Sequence, residues 1–137
     1  SALLEDRAGT ARILGELRAM GVRIALDDFG TGYSALGHLS DIPLDTIKMD
    51  RSFVRDIEGN DTASGIAAAV IAMARTLRLA VGAEGVDSLG QLELLREMGC
   101  DQVQGFYFSR ALPAAEFAVL LDAGRTLSLH TAHEPYY

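Results

Sequence analysis

Apolar residues recur along this chain in two alternating rhythms, one of period near 3.6 and one of period 2. Ala11, Leu14, Leu17 and Met20 keep helical spacing over residues 7–20, and Gly21 ends that run. Val22 to Leu26 then reads as a strand, followed by the Gly-rich turn Phe29-Gly30-Thr31-Gly32. A short helix is predicted around 34–39, and Pro43 leads into a strand at Thr46–Met49. Asp61 or Thr62 is placed to cap a helix reaching about Leu77, with Ile66, Val70, Met73 and Leu77 on one face. Leu79–Ala83 reads as the third strand. Ser88 caps a helix with Leu92, Leu95 and Met98 inward, and Gln102–Gly105 is the fourth strand. Pro113 opens a last helix through about Leu121. From Asp122 onward the text turns polar, which divides the chain into a folded part, 1–121, and a tail, 122–137.

Strand and helix thus alternate without a break, the pattern of a parallel α/β sheet with helical crossovers. Four such units are half of an eight-stranded barrel, whose usual length is about 250 residues. An open doubly wound sheet gives the same alternation. The two faces of each strand bear on the choice, because side chains alternate along a strand. Ile24 and Leu26 oppose Ala25 and Asp27; Ile47 and Met49 oppose Thr46, Lys48 and Asp50. Val81 and Ala83 oppose Ala80, Gly82 and Glu84, and Val103 opposes Gln102 and Gln104. One face is always apolar. The other ends each time in a charged or amide side chain at the C-terminal end of the strand, where barrel enzymes carry their chemistry.

Charge narrows the ligand class. With 137 residues, a net charge of −7 and only twelve Lys and Arg, the chain lacks the basic stripe that a nucleic-acid polymer requires. A small phosphodiester stays within reach if a metal ion supplies positive charge. The one cysteine, Cys100, allows no disulfide framework and reads as a buried structural thiol in a reducing cytoplasm. No apolar run approaches the roughly 20 residues of a membrane span.

The candidate chemistry lies at the strand ends. Asp27-Asp28 can turn two adjacent carboxylates toward one point and hold cations, or can simply cap a turn. Lys48 on an inward face needs an anionic partner, either a ligand or Asp50 or Glu84. Glu84, after an apolar strand and before Gly85, suits a general base or a metal ligand, or a cap for the helix at Ser88. His38, His130 and His133 lack paired spacing and read as surface residues.

Four segments carry a family resemblance. Asp27-Asp28-Phe29-Gly30-Thr31-Gly32-Tyr33-Ser34 resembles the DDFGTGYS signature of EAL-domain cyclic-diguanylate phosphodiesterases. Ile47-Lys48-Met49-Asp50-Arg51-Ser52-Phe53-Val54 is similar to their K-I-D-x-S-F-V segment, and Ala83-Glu84-Gly85-Val86 to their A-E-G-V. Gly99-Cys100-Asp101 with Gln104-Gly105-Phe106 is similar to their G-C-D-x-x-Q-G-Y/F.

The resemblance implies the C-terminal half of a modified (β/α)8 barrel of the TIM type. It implies hydrolysis of cyclic di-GMP to linear pGpG with two Mg2+ or Mn2+ ions. Asp27, Asp28 and Glu84 become the expected metal ligands, and Glu84 and Lys48 the catalytic pair. Gln104, Lys48 and Asp50 become the expected substrate-side residues. Phe29, Gly30, Thr31, Gly32, Tyr33 and Asp87 would couple the Gly-rich loop to a homodimer interface. The E-A-L glutamate, an asparagine ligand and a third carboxylate have no counterpart here, so the chain reads as a fragment expected to be inactive alone. Its parent would be cytoplasmic or membrane-tethered, with an upstream sensor or GGDEF domain as a candidate neighbour. Two departures stand out: Asp87 where the family has Glu, and Ala111 where it has Pro. The competing readings are a non-catalytic EAL-like receptor for cyclic di-GMP and an unrelated half-barrel metal enzyme.

Overall fold

A computed structural model describes residues 7–30 and 42–124. Its elements are α1 (Arg7–Ala19), β1 (Ala25–Phe29), β2 (Thr46–Met49), α2 (Arg51–Val54), α3 (Asp61–Thr76), β3 (Ala80–Glu84), α4 (Leu89–Met98), β4 (Gln102–Gln104) and α5 (Ala114–Asp122). The four strands form one parallel sheet in the order β1-β2-β3-β4. Strands in sequential order, with helices crossing over from β2 to β3 and from β3 to β4, make this a partial barrel wall, because a doubly wound sheet reverses its strand order partway. The predicted helix at 34–39, and Thr31, Gly32 and Tyr33, lie outside the described residues.

The face assignment of the strands is the feature that builds the core. Ile47, Met49, Val81 and Ala83 are buried and pack against α3 and α4 through Ile71, Ala74, Leu92 and Leu95. Burying the Ile, Met, Val and Leu side chains among them stabilises by roughly 1.5–3 kcal/mol each. In α3 the buried stripe is Ala67, Ile71 and Ala74, whereas Ile66 and Leu77 face out. The predicted stripe of the larger side chains is thereby corrected. Small alanines let the helix lie close to the sheet, and Val70 and Met73 flank the contact. The cap of α3 is also one residue earlier than expected: Asn60 Oδ1 accepts from the N–H groups of Thr62 and Ala63 at 3.1 Å. Ser88 does cap α4, in a reciprocal box with Gln91.

A second correction concerns β1. Pairing does not stop at Leu26 but runs on to Phe29, which is buried and belongs to the core. Leu26 pairs with Ile47 and Phe29 with Met49, so β1 spends one residue more than β2 over that interval. This is a β-bulge, and Asp28 takes the left-handed φ of 52° that aspartate tolerates.

The strands are also held at their N-terminal ends. Asp45, just before β2, donates its N–H to the Ile24 carbonyl at 2.9 Å and accepts the Ile24 N–H on Oδ2 at 2.8 Å. Its own carbonyl accepts the Ala80 N–H at 3.0 Å. Asp101, just before β4, holds Val81 by the same two bonds, at 3.0 Å through its N–H and 2.8 Å through Oδ2. Arg18 adds an ion pair to Asp45 at 2.8 Å.

The Ile24 N–H, reinforced by Arg18, holds the Asp45 carboxyl below the usual carboxylate range. A group depressed in this way contributes stability above its unfolded pKa and loses it as pH falls through the lower folded value. Asp45→Asn should therefore be less stable than wild type at neutral pH. The gap should close below about pH 4, as read from urea midpoints across pH.

Candidate active site

The bulge decides what the site contains. In an unbroken strand, Asp27 and Asp28 would face opposite sides of the sheet. Because Leu26 and Phe29 both face the helices, the two aspartates between them are left on the lumen side, opposite the single residue Lys48. Carboxylate oxygens of Asp27, Asp28 and Glu84 come within 4.8 Å of one another. The sequence brings these three together as expected.

Lys48 stands among them, its Nζ 3.1 Å from Asp27 Oδ1 and hydrogen-bonded to Glu84 Oε1. Those two carboxylates, Glu84 first, push the lysine pKa above its ordinary value against the opposing effect of burial. Lys48 therefore remains an ammonium through neutral pH. Among the described residues, Lys48 is the positive charge set against these three carboxylates, which leaves a surplus of negative charge there. That surplus, on oxygen donors gathered from two strands, fits hard divalent cations.

Gln104 is next to Glu84 in the β3–β4 register, on the same lumen face. The cleft over this face is lined by Lys48, Gly82, Ala83, Glu84, Gln102, Val103 and Gln104. The turns after β3 and β4 are stitched together. Val86 N–H donates to the Gln104 carbonyl at 3.1 Å, Tyr107 N–H to the Val86 carbonyl at 3.0 Å, and Phe106 N–H to Asp87 Oδ1 at 3.2 Å. Gly105 makes this approach feasible, since a Cβ there would overlap the Val86 backbone.

Two expected residues are placed differently from the trio. Asp50 is the N-cap of α2, its Oδ1 accepting the Ser52 N–H at 2.9 Å, and the Ser52 hydroxyl, with that N–H, lowers its pKa. Asp87 anchors the turn after β4 and donates its N–H to Gln91 Oε1 at 2.8 Å. The alternative of Glu84 as a cap for α4 does not hold, because Ser88 and Gln91 fill that role. The strand clasps of Asp45 and Asp101 were not anticipated. Their signal was legible as a repeated Asp-x-apolar-polar text, Asp45-Thr46-Ile47-Lys48 and Asp101-Gln102-Val103-Gln104.

A parallel half-wall with carboxylates and a lysine at the C-terminal strand ends defines a barrel-type α/β domain. The family model for the EAL domain matches residues 1–111, and the chain belongs to that family. It is 48% identical over 124 residues to the cyclic di-GMP phosphodiesterase NbdA of Pseudomonas aeruginosa, covering 90% of this chain and 16% of NbdA. The crystal structure of the EAL domain of Mycobacterium smegmatis DcpA is similar at a TM-score of 0.86 and 40% identity, over 93% of this chain and 57% of that one. Klebsiella pneumoniae BlrP1, in a complex with manganese and cyclic di-GMP, is similar at a TM-score of 0.66 and 41% identity, over 72% of this chain and 25% of that one. The chain thus spans little more than half of a solved EAL domain and a small part of the curated relatives.

Proposed function

We propose that this chain forms one wall of a metal-dependent active site that hydrolyses cyclic di-GMP to linear pGpG when the EAL domain is complete. The observation that carries the reading is the convergence of Asp27, Asp28 and Glu84 around Lys48 at the strand ends. The family and the manganese and cyclic di-GMP complex of BlrP1 support it. Asp27, Asp28 and Glu84 would hold two Mg2+ or Mn2+ ions. When bound, such ions withdraw charge from phosphoryl oxygens and lower the pKa of water.

The residues of the chain divide the remaining work. Hydrolysis forms a bond from water oxygen to phosphorus, breaks the bond to the 3′ oxygen, and moves one proton from water to that leaving group. Glu84 is the proton acceptor. Lys48, held as an ammonium, donates hydrogen bonds to the water and the phosphoryl oxygens and offsets charge as it develops. Gln104 holds the substrate beside them. Asp50 acts on the substrate side only indirectly, by fixing the start of α2. A receptor that merely retained the ligand would have no need of three carboxylates around a lysine.

Gly30, at φ 103°, follows the bulge, and a Cβ there would overlap the Phe53 ring. Phe29, Gly30 and the loop through Tyr33, with Asp87 nearby in sequence to the site, are proposed to couple a homodimer interface to Asp28. The 137-residue chain alone is proposed to be inactive, and the complete domain to work in the cytoplasm. Among the described residues no helix is long and apolar enough to cross a membrane.

The test is chromatography of pGpG formed by the complete domain, stripped with EDTA and titrated with Mg2+ or Mn2+. Activity should vanish on stripping and return with either ion. Gly30→Ala should raise the metal concentration for half-maximal rate about tenfold, by displacing Asp28. Cyclic di-GMP left intact at saturating metal would overturn the hydrolase reading in favour of a receptor.

A further inference from the structure

We propose that Asp45 and Asp101 are positioning residues for this site, each setting from the far end of the sheet the register of the strand that carries a lumen residue. Asp45 acts for Lys48 and Asp101 for Gln104. The kinetic part of this inference rests on the phosphodiesterase reading above.

The case begins with strand length. β2 has four residues and β4 three, so the ladder alone specifies their alignment weakly. Each aspartate captures both backbone groups of one residue at, or just before, the start of the preceding strand. Asp45 takes the N–H and carbonyl of Ile24, and Asp101 those of Val81. Any slip must break both bonds at once. A slip of one residue would turn Lys48 toward the helices, where Ile47 and Met49 are wholly buried. A slip of two would carry it about 6.6 Å, further than the 4.8 Å within which the carboxylates gather. Asp45 also receives the Ala80 N–H, so one residue aligns β1, β2 and β3, the strands bearing Asp27, Lys48 and Glu84.

Recurrence argues against a chance surface contact. The clasp appears twice, each time three residues before the lumen side chain, in the same Asp-x-apolar-polar text. At Asp45 the ion pair with Arg18 reinforces the grip. At both, the shared element is a carboxylate oxygen on a backbone N–H at 2.8 Å.

The experiment uses the complete EAL domain carrying Asp101→Ala, Asp101→Asn or Asp101→Glu, with Asp45→Ala beside them. Steady-state hydrolysis of cyclic di-GMP is measured across an Mn2+ titration up to saturation, and hydrogen exchange is followed at the Val81 amide. Asp101→Ala should raise KM about tenfold, because Gln104 moves, with the Mn2+ midpoint unchanged, because the ligands lie on β1 and β3. Exchange at Val81 should quicken about tenfold or more. Asp101→Asn should restore both, since its amide oxygen accepts the same N–H. Asp45→Ala should lower kcat, through Lys48. Unchanged KM and Val81 exchange in Asp101→Ala would overturn the proposal, as would an Asp101→Asn as impaired as the alanine. Should the alanine variant not fold, Asp101→Glu keeps the charge but displaces the acceptor, and wild-type KM there overturns the proposal equally. If the wild-type domain cleaves nothing, the hydrolase reading fails by itself. Val81 exchange and the Glu84–Gln104 cross-strand contacts, read by NMR, then decide the clasp.

Discussion

Glu84→Gln in the complete EAL domain is expected to lose at least about a thousandfold in turnover of cyclic di-GMP while keeping its melting temperature. Glutamine fills the same volume, and the face it occupies is the lumen side rather than the packed core. What changes is charge. One of three gathered carboxylates is lost, and with it the proton acceptor and the first partner of Lys48. Asp27→Asn should show the same loss with the same unchanged melt. Both follow from rate assays at saturating metal alongside thermal denaturation. Turnover within tenfold of wild type in either variant would mean the site lies elsewhere.

The largest effect on stability is expected at Gly105. A methyl group there would overlap the nitrogen and carbonyl of Val86, a residue wholly buried and unable to give way. Relief requires breaking the Val86 to Gln104 and Tyr107 to Val86 hydrogen bonds together. Gly105→Ala should therefore cost about 3 kcal/mol or more, the upper range for overpacking. Urea unfolding of the complete domain measures it. Activity should fall more than the unfolded fraction explains, because the same stitches hold Gln104 beside Glu84. A shift within 1 kcal/mol, on the order of ordinary surface changes, would show that the turn can relax.

Much of this arrangement was legible in the alternation of faces along the strands. Ile47 and Met49 against Lys48, and Val81 and Ala83 against Glu84, follow directly from a period of two. The end of β1 was not legible, because Asp-Asp-Phe-Gly reads as a turn when aspartate and glycine propensities are taken alone. Only the burial of Phe29 against the core, a tertiary effect, extends the strand through it. The face of α3 was misjudged for a related reason. Hydrophobicity favours Ile66 and Leu77, but close packing on a sheet selects Ala67 and Ala74 for their size. Asp50 carries a role that motif matching does not show: its carboxylate caps α2.

The extra residue in β1 gives this site an unusual kind of fragility. Its two aspartates share a side of the sheet only because two residues lie between Leu26 and Phe29 where β2 has one. Information about the site is therefore stored in spacing as well as in residue identity. Removing one aspartate by deletion would return the ladder to regular pairing, with the remaining aspartate opposite Lys48 and Phe29 still opposite Met49 on the helix side. Such a shortened chain would keep nearly every side chain associated with the chemistry and still present one acid where two are needed. Among relatives, a one-residue gap at this point would thus be a stronger sign of lost catalysis than a substitution at either aspartate.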